Sequence, residues 1–328
     1  MVSESVPSIQ AEEHESSALC AVCSGQVVNL FPFGRRPRVV RCLACHTESI
    51  RPLPTLFELE RRYSNYPVTK ASEDRILFLS SLSVKGLRWY AKRMGLTDDS
   101  FAGCKILEIG FGNGAGLLAA AKLGFQTFGI DLDPVSVSNA TLLAQKHSLR
   151  LTCLKGDVSA LAGLNMKFDI IKASQILEHI RDPIEFLSEI GRSQDVGGFL
   201  IIECPNNDAA FWWLKNSTRR MFNRLNYYNS LKLHEHLWGY NKNSLPKLLK
   251  RVGYRTVMVQ DYSAGNAIFE PESVLWYPTL LNGLRYSMAG RTWGPLMYSS
   301  VRIFDLLASA LWHKGTGLAV LCQKQEAC

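Results

Sequence analysis

The stretch Lys105 to Lys122, KILEIGFGNGAGLLAAAK, decides the fold. Lys105–Ile109 is a short, largely apolar run of the kind that forms a strand buried on both faces. Gly110, Gly112 and Gly114 alternate directly after it, so the backbone can turn tightly and approach a bound group without Cβ interference. Ala115–Leu123 then has a helical pattern whose first amides can receive a polar or anionic group. A glycine-rich turn between strand and helix is a weak signal by itself. Gly110, Gly112 and Ala115 also satisfy the looser dinucleotide fingerprint.

Working outward, the same alternation continues. Apolar runs at 127–130, 151–154, 170–173, 199–203, 255–260 and 318–323 read as strands, and 134–147, 183–193 and 244–252 read as helices. Pro134 and Pro183 suit the first helical turn, where a missing N–H costs nothing. The expected fold is α/β: a Rossmann-like, seven-stranded, mostly parallel sheet with helices on both faces. Leu56–Tyr63 and Glu73–Met94 read as helices before this core, and the second is expected on the sheet edge.

Acidic groups then narrow the chemistry. Glu108 lies inside the strand, two residues before the first glycine, where a nicotinamide site needs no acid. Asp131 closes the next strand, where ribose hydroxyls would lie. Asp157 follows the third strand and can accept from an adenine amine. Phe168 to Pro183 forms a fourth strand and an exit loop, Gln175-Ile-Leu-Glu178-His179.

Together these motifs resemble the class I S-adenosylmethionine-dependent methyltransferases, in particular the subgroup of ubiquinone-biosynthesis O-methyltransferases and natural-product and glycan methyltransferases. The resemblance covers about residues 90–254, and 315–320 look like that family's last strand. It implies S-adenosyl-L-methionine as cofactor. Glu108 would meet the methionine amino end, directly or through water. Gly110, Gly112 and Gly114 would shape the loop, Asp131 would take the ribose, and Asp157 the adenine. Gln175 would sit near the methionine moiety and the acceptor. Asp133 has a plainer reading, as the cap of the helix at Pro134. Some relatives carry Glu-x-x-Glu-His at the fourth-strand exit, a divalent-ion site. Here Gln175 takes the first position, and the remaining Glu178-His179 pair supplies too few ligands. For an oxygen acceptor a general base helps, and His179, His234 and His236 are the candidates.

Outside the core, Cys20-Ala-Val-Cys23 and Cys42-Leu-Ala-Cys45 are two CxxC turns separated by 18 residues. That spacing fits a structural Zn2+ held by four thiolates in a zinc ribbon over 20–50. His46 reads as a surface residue. Residues 1–19, polar and without the apolar segment of a signal peptide, are expected to be a disordered tail, and 51–100 a helical linker and N-terminal cap. Residues 101–328 are the methyltransferase domain, with an insertion at 207–243 and a helical segment at 270–313. No run reaches the length of a spanning helix, and Leu296–Trp312 carries Arg302 and Asp305 as an amphipathic helix would. A cytoplasmic location is expected, with the inner membrane surface as a peripheral site.

The net charge of +8 is uneven: residues 211–255 hold ten Lys or Arg against one acid, Glu235. Within it, the Trp, Tyr and Phe interleaved with Arg and Lys over 211–240 make that stretch a candidate lid over an anionic small-molecule or glycan-type acceptor. Solvated helix surface is the plainer reading of the same charges. Other readings are a methyltransferase of RNA or protein that docks through the ribbon, and a non-catalytic scaffold. Nucleic acid is the less favoured partner, because no RNA-binding module is recognisable.

Overall fold

The computed structural model describes residues 19–30, 38–64, 71–210, 212, 236–263 and 294–325. The ribbon contributes β1 (Val27–Asn29), β2 (Arg38–Cys42) and β3 (Glu48–Arg51), followed by α1 (Leu56–Ser64) and α2 (Glu73–Met94). The alternating core comprises β4 (Lys105–Ile109), α3 (Ala115–Lys122), β5 (Gln126–Asp131), α4 (Pro134–Lys146), β6 (Leu151–Lys155), β7 (Ile170–Ser174), α5 (Pro183–Arg192) and β8 (Phe199–Pro205). The chain ends with β9 (Trp238–Gly239), α6 (Ser244–Arg251), β10 (Tyr254–Tyr262), α7 (Gly294–Trp312) and β11 (Gly317–Lys324).

Seven of these strands form one sheet in the order β10-β11-β8-β7-β4-β5-β6. Strands β8, β7, β4, β5 and β6 are mutually parallel, and β11 runs antiparallel between β8 and β10. From β4 the chain winds outward through β5 to β6, then crosses back to β7 on the other side of β4. Strand order therefore reverses at β4, and the crevice outside its carboxyl end is where such sheets bind ligands.

The capping expected at the prolines is present. Asp133 accepts from the amides of Val135 and Ser136 at the start of α4, and Asp182 accepts from those of Ile184 and Glu185 at the start of α5.

Strand alternation divides the sheet into two faces. Leu107, Ile109, Ile171, Ala173, Leu200, Ile202, Leu318 and Val320 share a core with Leu187 and Ile190 of α5 and Leu245, Leu248 and Leu249 of α6. Ribbon residues Val22, Val39, Cys42, Cys45 and Ile50 belong to that same core. The ribbon is thus packed into the fold rather than appended to it.

The opposite face carries Ile106, Ile170, Ile201, Ala319 and Leu321, covered by Leu87, Tyr90 and Ala91 of α2 and Ala119 and Ala120 of α3. Helix α2 was expected on the sheet edge; it lies over the central strands. Small residues explain the close fit, since Ser83 and Gly86 of α2 and Gly116 and Ala120 of α3 line one shared cavity. At its far end the Tyr90 hydroxyl donates to Glu203 Oε1 at 2.7 Å.

Among the described helices none is long and apolar enough to cross a membrane. Among the described side chains of α7, Asp305 and Ala308 face inward. Asp305 is buried and accepts from the Thr316 amide at 3.0 Å and its hydroxyl at 2.8 Å, while Ile303, Leu306, Leu307, Leu311 and Trp312 are exposed.

Buried charge makes the α2 face sensitive. Lys172 lies 3.2 Å from Glu108 and 3.5 Å from Glu203, whose side chain is 1% exposed. Burial works to lower the Lys172 ammonium, but Glu203 and Glu108 hold it above its ordinary value. Tyr90→Phe should therefore lower stability by about 1.5–3 kcal/mol, the worth of a hydrogen bond to a charged group. Lys172→Met should cost more, about 3–5 kcal/mol, because it strands two carboxylates. Urea unfolding midpoints at constant slope check both values.

Candidate active site

The turn after β4 is built on left-handed backbone. Gly110, Gly112 and Gly114 have φ of 66°, 54° and 79°. A Cβ at Gly110 would lie 2.2 Å from Cδ1 of Ile176, and one at Gly114 would lie 2.9 Å from Cβ of Ala140. At Gly112 nothing stands within 4 Å of a Cβ position, so the loop is open there. The Gly110 amide donates to the Ile130 carbonyl at 2.8 Å, tying the turn to β5.

Asp131 ends β5 beside that open point. Its Oδ2 accepts from the Gly112 amide at 2.8 Å and its Oδ1 from the Asp133 amide at 2.9 Å. Burial raises the Asp131 carboxyl above its ordinary range, against the lowering effect of the amides of Asp133 and Gly112. Each oxygen keeps further acceptor capacity, the arrangement needed to receive two vicinal hydroxyls. Asp157 caps a short 3-10 helix (Val158–Leu164) through the Ser159 amide at 2.9 Å and hydroxyl at 2.5 Å, and it is exposed.

Glu108 turns toward the α2 face. A Cβ at Gly116 would meet its Oε2 at 2.3 Å, and Lys172 holds its other oxygen. Together with Tyr90, Glu203 and apolar neighbours, Glu108 lines a cavity of ≈ 20 Å³. That is room for about one water molecule.

Gln175 occupies left-handed backbone at φ 56°, uncommon for a residue with a side chain. Its amide donates to the Glu203 carbonyl at 2.7 Å, and its Nε2 to the Tyr262 hydroxyl at 3.3 Å. The exit loop is held in this conformation from both sides.

The candidate bases His179 and His236 meet only in three dimensions. Glu178 and His179 lie in a 3-10 turn after β7, with Nε2 of His179 3.8 Å from Oε1 of Glu178. The rings of His179 and His236 pack edge to face at 4.9 Å. Ligand atoms of Glu178, His179 and His236 all lie within 4.8 Å of one another. This corrects the ligand count made on Glu178-His179 alone: His236, 57 residues further on, supplies a third group. His234 lies outside the described residues, as do 211 and 213–235 of the aromatic, basic insertion. Several described cations of that segment are engaged within the fold. Lys242 pairs with Asp261 at 2.5 Å, Arg251 donates to the Ala21 carbonyl, and Arg255 donates to Gln323 at 3.0 Å.

The four ribbon cysteines converge. Sγ of Cys20 is 3.6 Å from that of Cys45, Sγ of Cys23 is 3.5 Å from that of Cys42, and all four lie within 4.8 Å of one another. A tetrahedral zinc with Zn–S near 2.3 Å needs sulfur separations of about 3.8 Å, so the four thiols fit the ion. Burial works to raise the Cys42 thiol, but amides of Cys45 and Ala44 and the neighbouring thiols bring it to about 7. His46 is exposed beside this cluster.

Residues 69–259 match the family model described as a methyltransferase domain, and as this is more than half of the sequence, the chain belongs to that family. A ubiquinone biosynthesis O-methyltransferase of Cereibacter sphaeroides is 29% identical over 108 residues, 33% of this chain and 44% of that protein. A protein of the same name from Ruegeria is 29% identical over 112 residues, covering 34% and 45%. The chain thus matches less than half the length of these curated relatives. Among solved structures, the magnesium protoporphyrin IX methyltransferase from Synechocystis with bound SAH overlays with a TM-score of 0.47 at 13% identity, covering 82% of this chain and 94% of that one.

Sequence reading did not find Tyr90, Lys172, Glu203 or Tyr262 around the site. A signal for two of them was available: Lys172 and Glu203, like Glu108, are charges inside strands that are otherwise largely apolar.

The two kinds of glycine should respond differently. Gly112→Ala bears only the left-handed backbone cost of about 1–2 kcal/mol, whereas Gly110→Ala adds displacement of Ile176 and should cost more. Thermal or urea unfolding of the two variants checks the order.

Proposed function

We propose that the chain transfers the methyl group of S-adenosylmethionine to an oxygen of a small-molecule or glycan-type acceptor. The observation that carries the reading is Asp131, held by the Gly112 amide at the open point of the glycine loop where strand order reverses. A carboxylate there suits ribose hydroxyls, and the left-handed loop lets the cofactor lie against backbone. Glu108, which lines a small cavity with Lys172 and Glu203, meets the methionine amino end through water in this reading. Asp157 keeps exposed lone pairs for the adenine amine.

Methyl transfer is a single displacement. The acceptor oxygen bonds to the methyl carbon, the carbon–sulfur pair returns to sulfur, and the acceptor proton leaves to a base. Alignment supplies much of the acceleration. His179 takes the proton in this reading, with Glu178 beside it and His236 against its ring. The curated relatives named as ubiquinone biosynthesis O-methyltransferases support an oxygen acceptor. An anionic acceptor rests on Lys215, Arg219, Arg220, Arg224 and Lys232, which lie outside the described residues. Packing of the ribbon into the main core speaks for a small acceptor over a macromolecule docked on a free module.

A second reading places a divalent ion on Glu178, His179 and His236, favoured by the convergence of their ligand atoms. Three protein ligands leave a position open for the acceptor oxygen. Metal analysis separates the two readings. The base reading expects one zinc per chain, lost in Cys42→Ser; the metal reading expects a second equivalent, lost in His236→Ala.

Asp131→Asn should weaken S-adenosylmethionine binding about tenfold to a hundredfold, the value of hydrogen bonds to a charged group. Because burial raises the Asp131 carboxyl, it stays protonated to higher pH than an ordinary aspartate. Cofactor affinity in the parent should accordingly fall, on acidification, at a pH above the usual aspartate value of about 3.9. Calorimetry across pH measures both effects. His179→Ala should leave that affinity intact while slowing transfer about 10²–10⁴-fold, the contribution of a positioned base.

A further inference from the structure

One short segment belongs at once to the ribbon sheet and to the neighbourhood of Glu178 and His179. Strand β9 completes the ribbon as the fourth strand of a sheet ordered β1-β2-β3-β9, with Ser49 opposite Trp238 and Glu48 opposite Gly239. One residue further on, Tyr240 bridges to Asn206 at the carboxyl end of β8, and the Asn207 amide donates to the Tyr240 carbonyl at 2.7 Å. Residues 236–241 therefore belong to both the ribbon and the margin of the large sheet.

Each end of this segment is pinned. On the ribbon side, the Ile50 amide donates to the Leu237 carbonyl at 3.1 Å, and Asn241 Nδ2 donates to the Cys45 carbonyl at 3.2 Å. On the site side, the Leu237 amide donates to the Glu178 carbonyl at 2.7 Å, and Trp238 Nε1 to the Ile180 carbonyl at 2.8 Å. Leu237 and Tyr240 are fully buried. Tyr240 lies within electrostatic reach of both Cys20 and Glu178. His236 is the next residue before Leu237, so where this backbone sits decides where the His236 ring meets His179.

We propose that the Cys20/Cys23/Cys42/Cys45 ribbon is a positioning element of the acceptor side: with zinc held by its thiols it fixes β3, β3 fixes β9, and β9 sets His236 against Glu178 and His179. The inference rests on the reading above that these histidines face the acceptor. It differs from a docking role, in which the ribbon would touch a partner and leave His236 unaffected. It also differs from general stabilisation. The glycine loop is tied to β5 by the bonds of the Gly110 amide to Ile130 and the Gly112 amide to Asp131, whereas the bonds of Leu237, Trp238 and Asn241 named above go to Glu178, Ile50, Ile180 and Cys45. Loss of the metal should therefore loosen the acceptor side and spare the cofactor side.

The test uses the full chain purified with its zinc. Chelation of the folded protein should raise amide exchange at Ile50 and Leu237 by at least about tenfold, as a local opening would. At fixed pH it should shift the ring signals of His179 and His236 but not of His147, which pairs with Glu73 at 3.0 Å on another part of the fold. S-adenosylmethionine affinity should not change, and zinc should restore every signal. Asn241→Asp repeats the test without touching a thiol. It keeps the Oδ1 acceptor for the amides of Asn243 and Ser244 and removes the donor to Cys45, so it should give the same changes at smaller amplitude with zinc retained.

Unchanged exchange and ring signals after metal loss would overturn the proposal. So would a cofactor affinity that falls in step with them, or a natively purified chain that carries no metal. Should the intact chain fail to bind S-adenosylmethionine, the functional reading fails, while the exchange and ring signals still answer whether the ribbon sets His236.

Discussion

The reversal of strand order at β4 is the constraint on which the site depends. Because β5 lies on one side of β4 and β7 on the other, the connections leaving their carboxyl ends part there and leave a crevice. The chain must turn sharply out of β4 beneath the β7 exit loop, and Ile176 leaves no room for a Cβ at Gly110. That one steric condition keeps the loop backbone bare, sets Gly112 at the opening, and puts its amide in reach of Asp131. Asp157, Gln175 and His179 lie on the connections after β6 and β7, at the same margin of the sheet.

Beneath this margin the α2 face holds an arrangement that a purely apolar sheet would avoid. Glu108, Lys172 and Glu203 are close to one another under two helices, and Tyr90 closes the cluster from α2. Such a buried set gains little net stability over apolar packing. It does leave two carboxylates against one ammonium directly below the glycine loop. A surplus negative charge suits a cofactor whose methionine end carries an ammonium and whose sulfur carries a positive charge. Lys172, held above its ordinary value by the two carboxylates against its burial, is the kind of perturbed group that gathers at functional sites.

Much of this was legible in the sequence because it depends on short-range patterns. Strands β4 to β8 are brief, largely apolar runs, helices α4 and α5 begin at prolines preceded by capping aspartates, and the glycine loop and Asp131 sit at strand ends that pattern alone locates. The four thiols were readable from spacing, since two CxxC turns need only a common ion to meet. What was not legible depends on packing across the chain. Nothing local tells that α2 lies over the central strands, that His236 reaches His179, or that Trp238–Gly239 completes the ribbon sheet. The two-residue strand β9 is too short to show a period. The left-handed Gln175 likewise carries no glycine to announce it, because bonds from Glu203 and Tyr262 hold it there.

Ribbon and core therefore pack as one framework beside the crevice, with the glycine loop after β4 at its opening and β9 joining the ribbon sheet to the margin of the large one. The most direct test of the central claim is calorimetric titration of the full chain, metal intact, with S-adenosylmethionine and separately with NADH. The account predicts that S-adenosylmethionine saturates one site per chain and that NADH gives no binding isotherm. Binding of NADH in its place, or no binding of S-adenosylmethionine by the folded, metal-loaded protein, would contradict it.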